Sequence, residues 1–144
     1  LIPHTDILKV SDEDLEWLIE GHSKRARISA WLENGPSIVI VTKGDKGVEA
    51  HTKTGTVTLG AQKVDVVDTI GAGDSFNAGF LAALKRSDSL SKKTVCDLPA
   101  QVLLEALTFA THVSAHTVSK AGAQPPWLSE LKTESKSRQM SDLT

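Results

Sequence analysis

The sequence predicts an α/β fold with a mostly parallel central sheet and an antiparallel edge, and three observations carry that expectation. Residues 37–42, Ser-Ile-Val-Ile-Val-Thr, form a continuous apolar run, the pattern of a strand covered on both faces by helices. Strand-like and helix-like segments alternate along the chain, as they do when helices pack on both sides of a sheet. The short segments 48–51, 56–59 and 62–67, separated by Lys53-Thr54-Gly55 and by Gly60, read as three further strands suited to an antiparallel edge.

In chain order, residues 6–10 read as a short buried strand. Ser11 then supplies a helix cap, with Asp12, Glu13 and Asp14 in the first turn near the positive end of the helix dipole. Leu15, Leu18 and Ile19 give that helix its inner face. A second helix over about 23–33 is expected to pack through Ala26, Ala30 and Trp31, and Asn34-Gly35-Pro36 stops it. The 37–42 strand ends at the turn Lys43-Gly44-Asp45-Lys46-Gly47. Phe76, Phe80, Leu81 and Leu84 recur at helical spacing. Residues 85–97 are polar and read as a loop, whereas 98–118 read as a long helix with Val102, Leu103, Ala106, Phe109, Ala110 and Val113 on one side. Ala121-Gly122-Ala123-Gln124-Pro125-Pro126 breaks it. Trp127, Leu128 and Leu131 can dock a last short helix, so a single domain is expected over 1–132, with a frayed polar tail over 133–144.

The segment with the most chemical content is Asp68-Thr69-Ile70-Gly71-Ala72-Gly73-Asp74-Ser75-Phe76. It places three small residues just before an acid that opens an apolar helix, the layout of an anion hole beside a general base. A dinucleotide-binding loop would need a third glycine where Phe76 stands, and a P-loop would need Gly-Lys-Ser/Thr; neither is present. A helix cap and a chain turn would account for Asp74 and the glycines separately, but not for the paired glycines around alanine together with the second acid, Asp68.

Residue for residue, this segment resembles the second signature of the PfkB, or ribokinase-like, carbohydrate kinases, and residues 122–125 after an Ala/Thr-rich helix resemble that family's closing segment. The resemblance extends to about residue 132 and implies the ribokinase-like three-layer fold, with this chain as its carboxy-terminal, nucleotide-side portion. It further implies ATP and Mg2+ as cofactors and a small sugar as acceptor. Asp74 would be the catalytic base, and Gly71, Ala72 and Gly73 would line the anion hole. Thr42, Lys43, Gly44, Asp45 and Gly47 match the turn that lines the ATP phosphates, although a hairpin turn with two glycines would look the same. Thr111 falls where the family contacts the base or ribose. Asp68, Ile70, Thr117, Lys120 and Gly122 match positions that bind potassium or a similar ion through oxygens, and Pro126 replaces a sixth. Ser11 and Asp14 stand where many members carry Asn-x-x-Glu; an indirect magnesium role for Asp14 and a plain helix cap fit equally well. Lys9-Val10-Ser11-Asp12 resembles the fructokinase-like branch.

The first Gly-Gly signature, the sugar-contacting acid and the lid strands of the family are not recognisable, so the chain alone is expected to be inactive and any homodimer to belong to the parent. A nucleoside or sugar-acid acceptor keeps the same mechanism. A non-catalytic nucleotide-binding module is the rival from another class, and retention of Asp74 with all three loop residues argues against it.

Composition removes other classes. The 144 residues are 40% hydrophobic, enough for one domain with a core, and the net charge of -2 gives no basic footprint for nucleic acid. The single cysteine, Cys96, cannot form an internal disulfide and reads as a buried or incidental thiol. His112 and His116 read as surface or packing residues. No apolar run approaches the roughly 20 residues of a membrane span. With the start Leu-Ile-Pro-His, neither a signal peptide nor an ordinary initiator, this points to a cytoplasmic chain cut from something longer.

Overall fold

The apolar run at the centre of the sequence becomes the centre of the sheet. The computed structural model describes residues 1–19, 21–127 and 129–131. Its elements are β1 (Ile7–Ser11), α1 (Asp12–Leu18), α2 (Lys24–Asn34), β2 (Ile38–Thr42), β3 (Val48–Thr52), β4 (Gly55–Leu59), α3 (Ala72–Arg86), α4 (Lys92–Val95) and α5 (Ala100–Val118), with single 3-10 turns at Ile2–His4 and Gly44–Lys46. The sheet order is β1-β2-β3-β4. β1 and β2 are parallel, with Lys9 opposite Ile40, and the β2–β3 and β3–β4 pairs are antiparallel.

Strand alternation divides β2 between two cores. Ile38 and Ile40 join Phe76, Phe80 and Leu84 of α3 and Leu103, Ala106, Leu107 and Ala110 of α5, whereas Val39 and Val41 join Leu15 of α1 and Ile28 and Leu32 of α2. The result is three layers, α/β/α. The α3–α5 contact is close because Gly79 has no side chain; a Cβ there would stand 3.0 Å from the Ala110 Cα.

Several expected elements differ. Residues 62–67 are not a strand: they leave the free edge of β4 and turn towards α5, where the Val67 and Asp68 amides both donate to the Val118 carbonyl at 2.8 and 3.1 Å. Without that strand the sheet has four strands, joined by one parallel and two antiparallel pairings. α2 packs through Ile28 and Leu32, with Trp31 partly buried, while Ala26 and Ala30 are exposed. Larger apolar side chains four residues apart remove more surface from water than alanines do. Leu81 is 44% exposed because the inner stripe of α3 is Phe76, Phe80 and Leu84, and Leu107 is a buried α5 residue that the expected face omits. The polar stretch 85–97 is not all loop. α3 continues to Arg86, and α4 forms behind a Ser91–Thr94 capping box that buries Val95. Cys96 is exposed, and its thiol donates to the Lys93 carbonyl. Trp127 does not dock: it is 79% exposed. Leu128 and the expected tail at 133–144 lie outside the described residues. Among those described, no helix is long and apolar enough to cross a membrane.

Candidate functional site

The signature segment opens α3. Gly71 is the residue before the helix, at φ 77, a left-handed conformation that glycine adopts without strain. A Cβ on Gly71 would also meet the Ala123 Cβ at 3.0 Å, so the loop seats tightly on the turn that follows α5. The Ala72 amide donates to the Thr69 carbonyl at 3.2 Å, while the amides of Gly71, Gly73 and Asp74 meet no acceptor among the described residues. Three free donors at the positive end of a 15-residue helix form an anion-binding arrangement. Asp74 stands exposed in the same turn.

The second expected segment follows β2. Lys43 N–H donates to the Gly47 carbonyl at 2.8 Å and Gly47 N–H to the Gly44 carbonyl at 3.2 Å, which closes the turn and leaves the Gly44 and Asp45 amides without an acceptor among the described residues. The Lys43 side chain turns away to pair with Glu49, and that hydrogen bond holds the Glu49 carboxyl below its ordinary range. His51, 3.4 Å from the same carboxylate, is pushed down chiefly by burial.

Both segments wall one cavity of about 600 Å³, lined from the turn by Thr42, Gly44, Asp45 and Gly47, from the signature by Thr69, Ala72 and Gly73, and from α5 by Thr111, Ser114, Ala115 and Val118. Gln62, Lys63, Val64 and Val66 supply a further wall, which explains what the 62–67 segment does instead of pairing as a strand. Ser114 escaped the sequence reading, yet its signal was there: residues 111, 114, 115 and 118 follow the helical i, i+3, i+4, i+7 spacing. The Ser114 hydroxyl donates to the Ala72 carbonyl at 3.0 Å, and the buried Thr117 hydroxyl donates to Ser75 Oγ at 2.9 Å. These two bonds tie the first turn of α3 to α5.

The residues expected at a monovalent cation also come together. The Asp68 carboxylate accepts from the Ile70 amide at 3.0 Å and the Gly122 amide at 2.9 Å, bridging two loops 54 residues apart. The carbonyls of Thr117 and Gly122 already accept hydrogen bonds from the Lys120 and Gln124 amides, whereas those of Asp68, Ile70 and Lys120 accept none among the described residues. An oxygen donor set of this kind fits a hard cation. No group of three or more His, Cys, Asp or Glu side chains that could hold a metal occurs among the described residues. Asp14 is at the third position of α1, where its amide donates to Ser11 Oγ at 3.0 Å, and neither Asp14 nor Asp74 lines the cavity.

The two amides, Ile70 first and Gly122 second, depress the Asp68 carboxyl below its ordinary 3.8. A depressed folded-state value means that the bridge stabilises the fold above the unfolded value and is lost as pH falls through the folded one. Amide chemical shifts of Ile70 and Gly122 are therefore expected to titrate together below pH 3.8. Separate midpoints for the two amides would mean that the bridge is not a unit.

Comparison with known proteins gives the family and the fold. Residues 1–130 match the pfkB family of carbohydrate kinases. The chain is 44% identical over 99 residues to a fructokinase of Rhizobium leguminosarum bv. trifolii, covering 69% of this chain and 30% of that protein. Among solved structures it resembles the fructokinase of Xylella fastidiosa with bound ATP, at a TM-score of 0.85 and 25% identity, over 93% of this chain and 43% of that one. It also resembles a double mutant of Vibrio cholerae fructokinase with fructose, ADP and potassium ion bound, at a TM-score of 0.73 and 26% identity, over 89% and 40% of the two chains. The chain thus spans less than half the length of each of these relatives.

Proposed function

Because the chain belongs to the pfkB family of carbohydrate kinases, we propose that it forms the nucleotide-side, catalytic portion of a cytoplasmic kinase that transfers the γ-phosphoryl group of ATP to a sugar hydroxyl, of the fructokinase or ribokinase type. The observation that carries the proposal is the single cavity walled by the 42–47 turn, the Gly71 loop and Thr111. Free amides at Gly44 and Asp45 and at Gly71, Gly73 and Asp74 suit a polyphosphate laid between the two loops.

In the transfer, the acceptor oxygen forms a bond to the γ-phosphorus as the bond from that phosphorus to the β–γ bridging oxygen breaks. Asp74 takes the acceptor's proton, and the bridging electron pair leaves on ADP. The amides before and within the first turn of α3 hold the charge on the transferred group, which is where phosphoryl transfer gains most of its catalysis. Magnesium would supply charge neutralisation for the phosphates when bound, and of this chain's residues Asp14 would help to hold it, indirectly through water. The uncommitted carbonyls of Asp68, Ile70 and Lys120 would hold potassium beside the loop, and the Asp68 bridge keeps them in register.

Acceptor binding is assigned to sequence outside this chain, in keeping with its share of the relatives' length. The 144-residue chain is therefore expected to bind ATP or ADP loosely and to transfer nothing to a sugar, because proximity and orientation contribute about 7–11 kcal/mol in such reactions. A chemical-shift titration with millimolar nucleotide should move residues 42–47, 71–73 and 111. Shifts confined to other segments refute the site, and robust sugar-dependent ADP production by this chain refutes the division of labour.

A further inference from the structure

Beside the Gly71 loop lies a cation that the roles above do not use. Alternation along β1 puts Ile7, Lys9 and Ser11 on one face, and Ile7 packs against the α3/α5 core, so Lys9 reaches towards α3 from the carboxyl half of its strand. Its Nζ stands 3.1 Å from where a Cβ of Gly73 would be. The side chain is half-buried, and none of the ion pairs among the described residues includes it.

An ammonium set against the positive end of α3, next to the free amides of Gly73 and Asp74, is an unfavourable pairing unless an anion lies between them. Glycine at 73 keeps that space open, since any side chain there would press on the ammonium. Asp74 is the adjacent residue and faces the acceptor in the kinase reading, so the anion that meets both Lys9 and the first turn of α3 is the phosphoryl group being transferred.

We propose that Lys9 is a further catalytic residue, its Nζ binding a γ-phosphoryl oxygen of ATP and remaining on it through transfer; this rests on the kinase reading above. Lys9 gives and takes no proton. It adds a point charge to a group whose negative charge is spread over its peripheral oxygens. The free amides of the 42–47 turn are assigned the α- and β-phosphates, which leaves the γ-phosphoryl group to Lys9.

Calorimetry on the 144-residue chain with MgATP and with MgADP tests the assignment, using wild type, Lys9→Met and Lys9→Arg. Loss of one charge-assisted contact predicts about a 10-fold or greater fall in ATP affinity for Lys9→Met, with ADP affinity within about twofold and most of the ATP affinity kept by Lys9→Arg. Retained ADP binding also reports that the variant is folded. Equal losses for both nucleotides, or no loss for either, overturn the role of Lys9 while leaving the nucleotide site standing. Failure of the wild-type chain to bind either nucleotide overturns the nucleotide site proposed on this chain, and the role of Lys9 with it.

Discussion

Asp74→Asn is expected to lower turnover by at least about 100-fold in the full-length kinase to which we assign this chain, the lower end of what a positioned general base contributes. Asparagine keeps the size of the side chain and removes only the ability to take a proton. Asp74 is exposed and lines no part of the cavity, so its loss disturbs neither packing nor the nucleotide walls. Its negative charge in the first turn of α3 interacts favourably with the helix dipole, but such an interaction is worth only about 0.3–1 kcal/mol at an exposed site. That is too little to unfold a domain, and too little to explain a 100-fold kinetic effect through stability. The variant should therefore keep its circular dichroism spectrum and its ATP affinity while kcat falls. Near-normal kcat would remove Asp74 from the chemistry and leave it as a helix-terminal charge.

Where the sequence was legible, the cause was periodicity under strong burial. Residues 38–41 are apolar without interruption because both faces of β2 meet helices, and each is at most 2% exposed. The start of α3 at Gly71 was legible for a different reason: the residue types of 71–74 have few alternative uses together. What failed was local pattern without its partner. Val64 and Val66 alternate as a strand would, but the alternation serves a cavity wall, and a sequence cannot say which neighbour an edge segment will meet. Ala26 and Ala30 illustrate the same limit for helices, because period alone does not rank alanine against Ile28 and Leu32 for the buried face. Lys9 was invisible as a site residue for a topological reason. Its proximity to Gly73, 64 positions later, arises only when β1 pairs with β2 and α3 crosses that face.

The two glycines of the turn after β2 look equivalent in sequence, yet alanine is expected to cost far more stability at Gly47 than at Gly44. Gly44 has φ 55 and nothing within 4 Å of where a Cβ would stand. Gly47 has φ 96 and ψ -141, a region that is essentially glycine-only. Its Cβ would also lie 2.1 Å from the Leu59 carbonyl oxygen and 2.8 Å from the Ala61 nitrogen. Those are backbone atoms at the end of β4, so no rotamer change relieves the overlap. Backbone strain of this kind costs about 1–3 kcal/mol before the collision is counted, and whole-domain stability is only about 5–15 kcal/mol. Gly47→Ala should therefore yield little folded protein. Gly44→Ala should fold with a loss of about 1–2 kcal/mol, the usual cost of a left-handed non-glycine residue. Because Gly44 lines the cavity and its amide is free, Gly44→Ala should still weaken ATP binding. Urea unfolding together with nucleotide titration separates the two: one glycine is held by the fold and the other by the ligand. A Gly47→Ala protein with wild-type stability would show that residues 59–61 can yield, and that the spacing of the motif answers to nucleotide alone.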